Sequence, residues 1–454
     1  MASKSTFKYP FPEPGTFDRN RMKRLVEDNY LLNRSAVNPD TDKLTYYLQK
    51  ELSGNITEAE SGTFSLKWKI PDNWLVRHGR LSRLNGEVLV DFAEHPMYLW
   101  THSISFKGEI KREDLIQNHI YSDPNRPNEF MYHYMHGYKE NIRTWGFSVP
   151  HSLIESMSDD SYYVDIDADL DNNNTLKIVD TEIQGELEDT IFIMAHTCHP
   201  GMVSDGIACI AVGNEIFHAL KAKGKTRYSY RFIYGPEYWG GAAWLDKSEP
   251  SEVNKLKYGI FLDMLSTHET LGFQDSAFPD SRIDRITLNV MKSHTNTYLH
   301  KDYRKLWGND ETFYNGPGFH IPTIGIGRGM HREYHYNTDD LSNMSLYNME
   351  DSCWVLMRII EVFETDYVPL LQYNGPLYLS RYGLFLDPYQ NREGYDALEK
   401  MQILANGKKS CFEIAEECGV DFFFVRNFFD RLIELGLSEK NSDYETHGYD
   451  NDHE

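Results

Sequence analysis

The sequence predicts an α/β protein built on a doubly wound, mostly parallel sheet. Short apolar runs bounded by turn residues recur in its second half, namely IFIMA, RFIY, GIFLDML and PTIGIG. Helical patterns follow several of them, most clearly over Ile207–Lys223, and strands that alternate with helices form parallel βαβ units. Because parallel strands are covered on both faces, their residues are apolar throughout. We therefore expect a buried sheet with a ligand site beyond the carboxyl ends of its strands.

The composition is typical of a globular protein and argues against some classes of binding partner. The 454 residues are 40% apolar and carry a net charge of -23, which argues against general binding of nucleic acid because phosphate contacts need basic residues. The five cysteines show no CxxC spacing, as expected in a reducing compartment. With neither a signal-peptide pattern nor an apolar run long enough to cross a bilayer, we expect a cytoplasmic protein without a membrane partner.

The pattern along the chain changes at several points and predicts five parts. These are an N-terminal helical part (1–63), an inserted β-rich domain (64–150), the main α/β domain (151–381), a winged-helix domain (382–440) and a disordered tail (441–454). In the first part, Asp18–Leu52 reads as two helices broken near Asn38, with Asp18 and Asp40 as candidate N-caps. Within the inserted domain, Gly108–Asn118 is a candidate short helix.

The C-terminal part resembles a helix-turn-helix, with short helices predicted over Leu398–Leu404, Cys411–Cys418 and Asp421–Leu437. Its charge is close to neutral, with six basic and seven acidic residues between positions 400 and 440, whereas modules that read DNA present a basic face. Five phenylalanines between positions 422 and 429 suggest a packing or association surface instead. We therefore expect no nucleic-acid partner and a homo-oligomer.

Side chains that can bind metal follow four of the apolar runs. They are His196, His199 and Asp205 after IFIMA; Glu237 after RFIY; Asp263 at the end of GIFL; and His331, His335, Asp339 and Asp340 after PTIGIG. A single loop histidine is usually solvated or hydrogen-bonded, but four strand ends with such residues indicate a shared site. Imidazole and carboxylate are zinc ligands, and a free carboxylate such as Glu237 suits a general base.

These residues lie in motifs that resemble the co-catalytic zinc aminopeptidases of metallopeptidase family 28, and more closely a bacterial aminopeptidase-like branch of them. The motifs run through nearly the whole chain in order: LLNRS, FSLKWKIPDNW, RTWGFSVP, AHTCHPGMVSDG, GPEYWGG, FLDML, GNDETFYNGPGFHIP and REYHYNTDDLSN. The resemblance implies the zinc-aminopeptidase type of sheet, an inserted β-rich domain and a C-terminal winged helix. It also implies one or two zinc ions.

Roles follow by position from the resemblance. Asp205 resembles the carboxylate that bridges two metals, Asp263 a ligand of the first metal and His335 the histidine of the second. Glu237 resembles the general base, because the Glu-x-x-Gly spacing to Gly240 matches the family pattern. The implied activity is hydrolysis of a peptide or amide bond next to a free amino group, with a peptide or a small aminoacyl or amide compound as substrate.

Two departures from the family pattern leave the metal count open. Tyr238 stands where the family has a second glutamate that binds metal, which allows a single zinc. The usual histidine-x-aspartate pair is His196-Thr197-Cys198, with His199 one residue later. By strand position His196 is the family ligand, whereas His199 lies closer to Asp205 and could replace it or supply a missing ligand. We favour His199 and retain both, and we expect Cys198 to pack rather than to bind.

Four further residues are candidates for substrate binding. Asp310 and Glu311 could hold a substrate amino group, or form an acidic loop that caps a helix. Arg328 could bind a substrate carboxylate or form a structural ion pair, and Tyr238 could stabilise an oxyanion.

Two other functions stay open from the sequence. One is a mononuclear zinc enzyme of a biosynthetic pathway, either glutaminyl-cyclase-like or a deacylase. The other is a catalytically degenerate binding or scaffold protein.

Overall fold

The computed structural model describes residues 17–134, 138–139 and 142–442. The tail predicted over 441–454 therefore lies outside the described residues from position 443 onward. The described chain separates into two compact units. The larger comprises Asp18–Ala277 and Leu299–Cys353, and the smaller comprises Phe278–Tyr298 and the chain from Trp354 onward, together with Phe17.

A mixed eight-stranded sheet forms the centre of the larger unit. Its strands lie in the spatial order Asn55–Glu60, Thr175–Ile183, Ser229–Gly235, Thr190–His196, Leu256–Asp263, Thr323–Arg328, Leu271–Gln274 and Leu299–Lys301. The four strands in the middle are parallel to one another, and antiparallel strands flank them on both sides. The prediction of an α/β fold is confirmed, and the sheet is mixed.

The middle strands are apolar because both of their faces are covered. Every residue of Thr190–His196 and of Ser229–Gly235 is buried. His196 pairs with Gly235, and Asp263 pairs with Gly327, so these strands end at the same edge of the sheet. The helices of the larger unit are Arg19–Asn29, Pro39–Leu52, Arg112–Asn118, His151–Ser156, Ile207–Lys223, Trp239–Lys247, Pro250–Val253 and Glu311–Tyr314, and Leu346–Thr365 begins in this unit.

The two N-terminal helices form as predicted, with one cap different. The Asp18 carboxylate accepts hydrogen bonds from the backbone of Asn20 and Arg21 and caps the first helix. The second helix is capped by Asn38 rather than by Asp40, because Pro39 occupies the first helical position, where its missing N–H costs nothing.

The inserted β-rich region is a four-stranded antiparallel sheet. Its strands lie in the order Val88–Asp91, Asn73–Arg83, Ser161–Asp171 and Phe106–Lys111. The strand Ser161–Asp171 lies past the predicted boundary at residue 150, because it pairs with Asn73–Arg83 along its whole length. The predicted helix over Gly108–Asn118 is wrong in its first half, where Phe106–Lys111 is a strand, and the helix begins at Arg112.

The smaller unit contains the helices Arg282–His294, Arg392–Leu404, Cys411–Cys418 and Phe422–Glu434, and the strands Pro369–Leu371 and Ser438–Lys440, which pair antiparallel. Gly419 ends one helix in the left-handed conformation, with a φ of 68°, which is the role glycine serves at helix ends. Phe422, Phe423, Phe428 and Phe429 are buried in the core, so these four rings offer no association surface. The winged-helix and homo-oligomer assignments stay predictions. Among the described residues, no helix has both the length and the apolar character that a membrane span requires.

Candidate metal centre

The ends of two neighbouring strands and two loops bring five predicted ligands together. His196 and Asp263 are the last residues of their strands, and Asp205 lies just before the helix that begins at Ile207. The Nε2 atom of His196 lies 3.1 Å from Asp205 Oδ1 and 3.8 Å from Asp263 Oδ1. His335 approaches from a later loop, with its Nε2 atom 3.1 Å from Asp205 Oδ2.

The predicted ligands form two overlapping groups around one carboxylate, and His196, Cys198 and His199 form a third group. His196, Asp205 and Asp263 form the first group, and His199, Asp205 and His335 form the second. Within each group, one ligand atom of every residue lies within 4.8 Å of the others, and all five residues are buried. Asp205 is common to both groups, and its two carboxylate oxygens face different histidines. The sequence allows either His196 or His199 as the ligand, and the structure brings both to the site.

The residues present fit zinc. Four buried atoms in this cluster face oppositely polar atoms at 3.1–3.8 Å without making a well-directed hydrogen bond: His196 Nε2, Asp205 Oδ2, Asp263 Oδ1 and His335 Nε2. A buried polar group without a well-directed hydrogen bond costs about 1–3 kcal/mol, and a cation bound among these four atoms would remove that cost. Imidazole nitrogens and carboxylate oxygens are the donors that zinc takes in catalytic sites.

The electrostatics of the cluster favour a charged carboxylate at its centre. Burial opposes ionisation of Asp205, but His199, His196 and His335 hold the pKa of its carboxyl well below the usual range. Burial alone would lower the pKa of His196, yet the carboxyl groups of Asp205 and Asp263 beside its Nε2 atom raise that pKa well above its ordinary value. Burial also lowers the pKa of His199 well below its ordinary value.

Glu237 lies beside the second group. Its Oε2 atom is 3.7 Å from His199 Nε2 and accepts a hydrogen bond from the Tyr138 hydroxyl at 3.2 Å. Its backbone N–H donates to Cys198 Sγ at 3.2 Å, which ties the two loops together. Burial raises the pKa of the Glu237 carboxyl to about 8.

Backbone strain is concentrated at the same place. His199, Tyr238 and His335 have φ values of 74°, 60° and 63°, in the left-handed region that non-glycine residues seldom adopt. Each such residue costs on the order of 1–3 kcal/mol and persists only where its surroundings fix it. The surroundings therefore hold these loops in one conformation.

Arg34 is one of the residues that hold the ligand loop in its conformation, a role that nothing in the sequence indicates beyond its place in the LLNRS motif. Its guanidinium is fully buried. It donates hydrogen bonds of 2.7–2.9 Å to four carbonyl oxygens of the ligand loop, those of Thr197, Cys198, His199 and Met202. Burial lowers the pKa of Arg34 to about 10, which still leaves the side chain charged at neutral pH.

Asp339 fixes the other side of the loop. Its carboxylate accepts hydrogen bonds from the backbone of Ser204 and Asp205 at 2.9–3.1 Å, and its own carbonyl accepts one from Val203. Asp339 therefore orients Asp205 through the main chain. His331 lies behind it, with Nε2 3.8 Å from Asp339 Oδ1.

The inserted region supplies an aromatic wall to the site. The backbone N–H of Tyr132 donates to the carbonyl oxygen of His335 at 2.8 Å, and the Tyr134 ring lies 5.0 Å from the His335 ring. The pocket between these side chains has a volume of about 20 Å³, enough for one water molecule. It is lined by Ala36, Thr101, His102, Tyr132, Tyr134, Tyr138, Cys198, His199, Glu237 and Trp239.

The acidic residues predicted to bind substrate accept hydrogen bonds from the protein backbone instead. Asp310 accepts hydrogen bonds from the backbone of Tyr238 and Gly241 at 3.1 and 3.0 Å, which is the helix-capping arrangement. Burial raises the pKa of its carboxyl to about 6. Glu311 accepts from the backbone of Asn309 and from the side chain of Gln274.

The other two substrate-binding candidates, Arg328 and Tyr238, also have partners within the protein. Arg328 forms an ion pair with Asp351 at 2.8 Å and donates to the carbonyl oxygens of Glu269 and Asn348. The hydroxyl of Tyr238 donates to the carbonyl oxygen of Gly308 at 2.9 Å.

Solved structures identify the class of this fold. A crystal structure of a Clostridium acetobutylicum protein, named as a candidate peptidase, matches with a TM-score of 0.83 over 93% of this chain and 96% of that one, at 24% identity. The Bacillus subtilis zinc aminopeptidase matches with a TM-score of 0.57 over 78% and 95%, at 12% identity. A Shewanella amazonensis M28 peptidase precursor gives 0.54 over 76% and 92%, also at 12%. The chain has the fold of the M28-type zinc aminopeptidases, as the motifs implied.

Within that class, the chain belongs to the family described as a domain of unknown function, DUF4910, whose model matches residues 23–366. A relative from Clostridium acetobutylicum is 27% identical over 420 residues, which cover 91% of this chain and 94% of the relative. That protein is named for polysaccharide biosynthesis and for an aminopeptidase-like domain.

Proposed function

We propose that this chain is a zinc-dependent hydrolase of aminopeptidase type, which cleaves a peptide or amide bond of a small substrate. The observation that carries the proposal is the convergence of four buried imidazole and carboxylate atoms that lack a well-directed hydrogen bond, on His196, Asp205, Asp263 and His335, beside the carboxyl group of Glu237. The aminopeptidase fold agrees with this chemistry, but the donor atoms are the stronger support because fold alone does not define function.

Zinc bound by these residues would polarise the carbonyl of the scissile bond and lower the pKa of a water molecule. Glu237 accepts the proton from the attacking water and delivers it to the leaving nitrogen. The Tyr138 hydroxyl holds one oxygen of Glu237 in place for both transfers. The aromatic side chains of Tyr132, Tyr134 and Trp239 limit the water around it.

A second candidate within the same chemistry is a deacylase, which removes an acyl group from a substrate without a free amino group. Asp310 and Glu311, the acids suggested for holding an amino group, are occupied by backbone amides. Among the residues that line the small pocket, Glu237 is the one carboxylate. The relative named for polysaccharide biosynthesis makes N-acylated amino sugars the first substrates to test.

The experiment compares two substrate series on one protein preparation. Purified protein is stripped with a chelator, restored with zinc, and assayed on aminoacyl p-nitroanilides and on N-acetylated amino sugars, with release of nitroaniline or acetate as the readout. Zinc-dependent turnover of the first series supports the aminopeptidase proposal, and turnover of the second supports the deacylase. Absence of zinc-dependent turnover in both series would contradict the hydrolase proposal.

A further inference from the structure

Tyr238 cannot supply the ligand that its position in the motif would provide. Its hydroxyl is bound to the carbonyl oxygen of Gly308, and its ring stacks on Trp68 with the centroids 5.2 Å apart. The side chain is therefore held by a carbonyl and an indole ring. Asp205 and His335 alone would leave a second metal ion with two protein ligands.

We propose that His199 takes this place and completes a second zinc site with Asp205 and His335. The inference rests on the proposed metal-dependent function and adds to it the number of ions and the residue that holds the second one. His199 forms a compact group with these two residues, and its ring lies 5.3 Å from that of His335. Its side chain is almost completely buried, with 6% exposed.

The orientation of the His199 ring supports the assignment. Its Nδ1 atom lies 3.3 Å from Cys198 Sγ, whereas its Nε2 atom faces Glu237 Oε2 at 3.7 Å. Histidines that bind metal usually use one nitrogen for the ion and the other for a hydrogen bond that fixes the ring. Here Cys198 contacts Nδ1 and fixes the ring, so Nε2, which lies on the side of Glu237, is the nitrogen that would bind the ion.

The backbone also places His199 at the site. Its left-handed φ of 74° turns the chain back between His196 and Asp205. Arg34 holds the carbonyl oxygen of His199 at 2.7 Å. Burying a charged arginine costs free energy, and all four of these hydrogen bonds are made to carbonyl oxygens of the ligand loop.

The resulting centre has three protein ligands for each ion. His196, Asp205 and Asp263 hold one ion, and His199, Asp205 and His335 hold the other. Three protein ligands leave an open position on each zinc for water or substrate, as catalytic sites require.

The test is zinc content per chain, measured by inductively coupled plasma mass spectrometry after saturation and removal of loosely bound metal. We expect about two zinc ions in the wild type and about one in His199→Ala, because only the second group loses a ligand. Tyr238→Phe and His218→Ala, a partly buried histidine paired with Glu51, are matched controls and retain the wild-type content.

Zinc K-edge absorption on the wild type gives a second measurement that needs no variant, in case His199→Ala fails to fold. Three histidines shared by two ions give about 1.5 imidazoles per zinc, whereas about 1 is expected without His199. Two ions retained in folded His199→Ala, or about 1 imidazole per zinc, would overturn the assignment of His199 and leave the hydrolase proposal standing. One ion in the wild type would overturn the second site alone. No zinc in the wild type would contradict both proposals.

Discussion

The guanidinium of Arg34 donates a hydrogen bond of 2.7 Å to the carbonyl oxygen of His199, across 165 positions of the sequence. The same guanidinium serves three neighbouring carbonyls, so a single side chain fixes the turn that carries two candidate ligands. Asp339 holds the opposite end of this turn through the backbone of Ser204 and Asp205. The geometry of the metal cluster therefore depends on residues that do not themselves belong to it.

Replacing Arg34 by methionine should destabilise the protein and weaken metal binding together. The substitution keeps an unbranched apolar stem but leaves four buried carbonyls without donors, and loss of one member of a buried polar network costs about 3–5 kcal/mol. Urea unfolding and zinc titration measure the two effects. Arg77→Met is the control, because Arg77 forms exposed ion pairs and its loss should leave both quantities nearly unchanged. Wild-type zinc affinity in Arg34→Met would contradict the positioning role.

Glu237→Gln should abolish hydrolysis while the protein keeps its zinc. Glutamine has nearly the same shape but cannot accept the proton, and removal of a general base lowers the rate by about 10²–10⁴-fold. Turnover and zinc content are measured on the same sample. If the variant lost zinc together with activity, Glu237 would be a ligand rather than the base.

Tyr138→Phe tests the hydrogen bond from the Tyr138 hydroxyl to Glu237, the proposed general base. Phenylalanine keeps the stacking of the ring on Trp239 but removes the hydroxyl that donates to Glu237 Oε2. We expect kcat to fall by about tenfold, the value of one hydrogen bond to a buried carboxyl group, with KM little changed. A larger change in KM than in kcat would place Tyr138 in substrate binding instead.

Glu311 should make the protein less stable as the pH rises. Burial raises the pKa of its carboxyl to about 7 in the folded chain, compared with 4.5 in an exposed glutamate, so the folded state holds the proton more tightly than the unfolded state. The free energy of unfolding that depends on this group therefore falls between pH 4.5 and 7 and then stays level.

Glu311→Gln removes this titration. The decline in the free energy of unfolding between pH 5 and pH 8, measured by urea denaturation, should be smaller in the variant by about 3 kcal/mol. An equal decline in both proteins would show that Glu311 is not the group responsible.

Local patterns in the sequence predicted much of the fold. The helix Ile207–Lys223 forms with the predicted bounds, because a long apolar pattern between glycines fixes both of its ends. The strand ends that carry His196 and Asp263 also follow from local apolar runs. The cap of the second helix is Asn38 and not the predicted Asp40, which shows that such patterns locate the ends of helices only to within a residue or two.

What the sequence could not provide are contacts between distant parts of the chain. Arg34 reads as an ordinary polar residue in a loop, and only folding brings it beneath the turn at His199. The predicted domain boundary at residue 150 excludes the strand Ser161–Asp171 from the inserted sheet. Its partner strand Asn73–Arg83 lies about ninety residues earlier, so no local pattern reveals that the two strands pair. The capping role of Asp310 likewise depends on Gly241, a residue far from it in the sequence.

Calorimetric titration of zinc into metal-free wild type and into Asp205→Ala shows directly whether the metal centre binds zinc. Asp205 lies in both ligand groups, so its loss should abolish tight zinc binding while circular dichroism shows an intact fold. Tight binding by the wild type alone is the predicted result. Wild-type protein that binds no zinc, or Asp205→Ala that binds it equally well, would contradict the proposed metal centre.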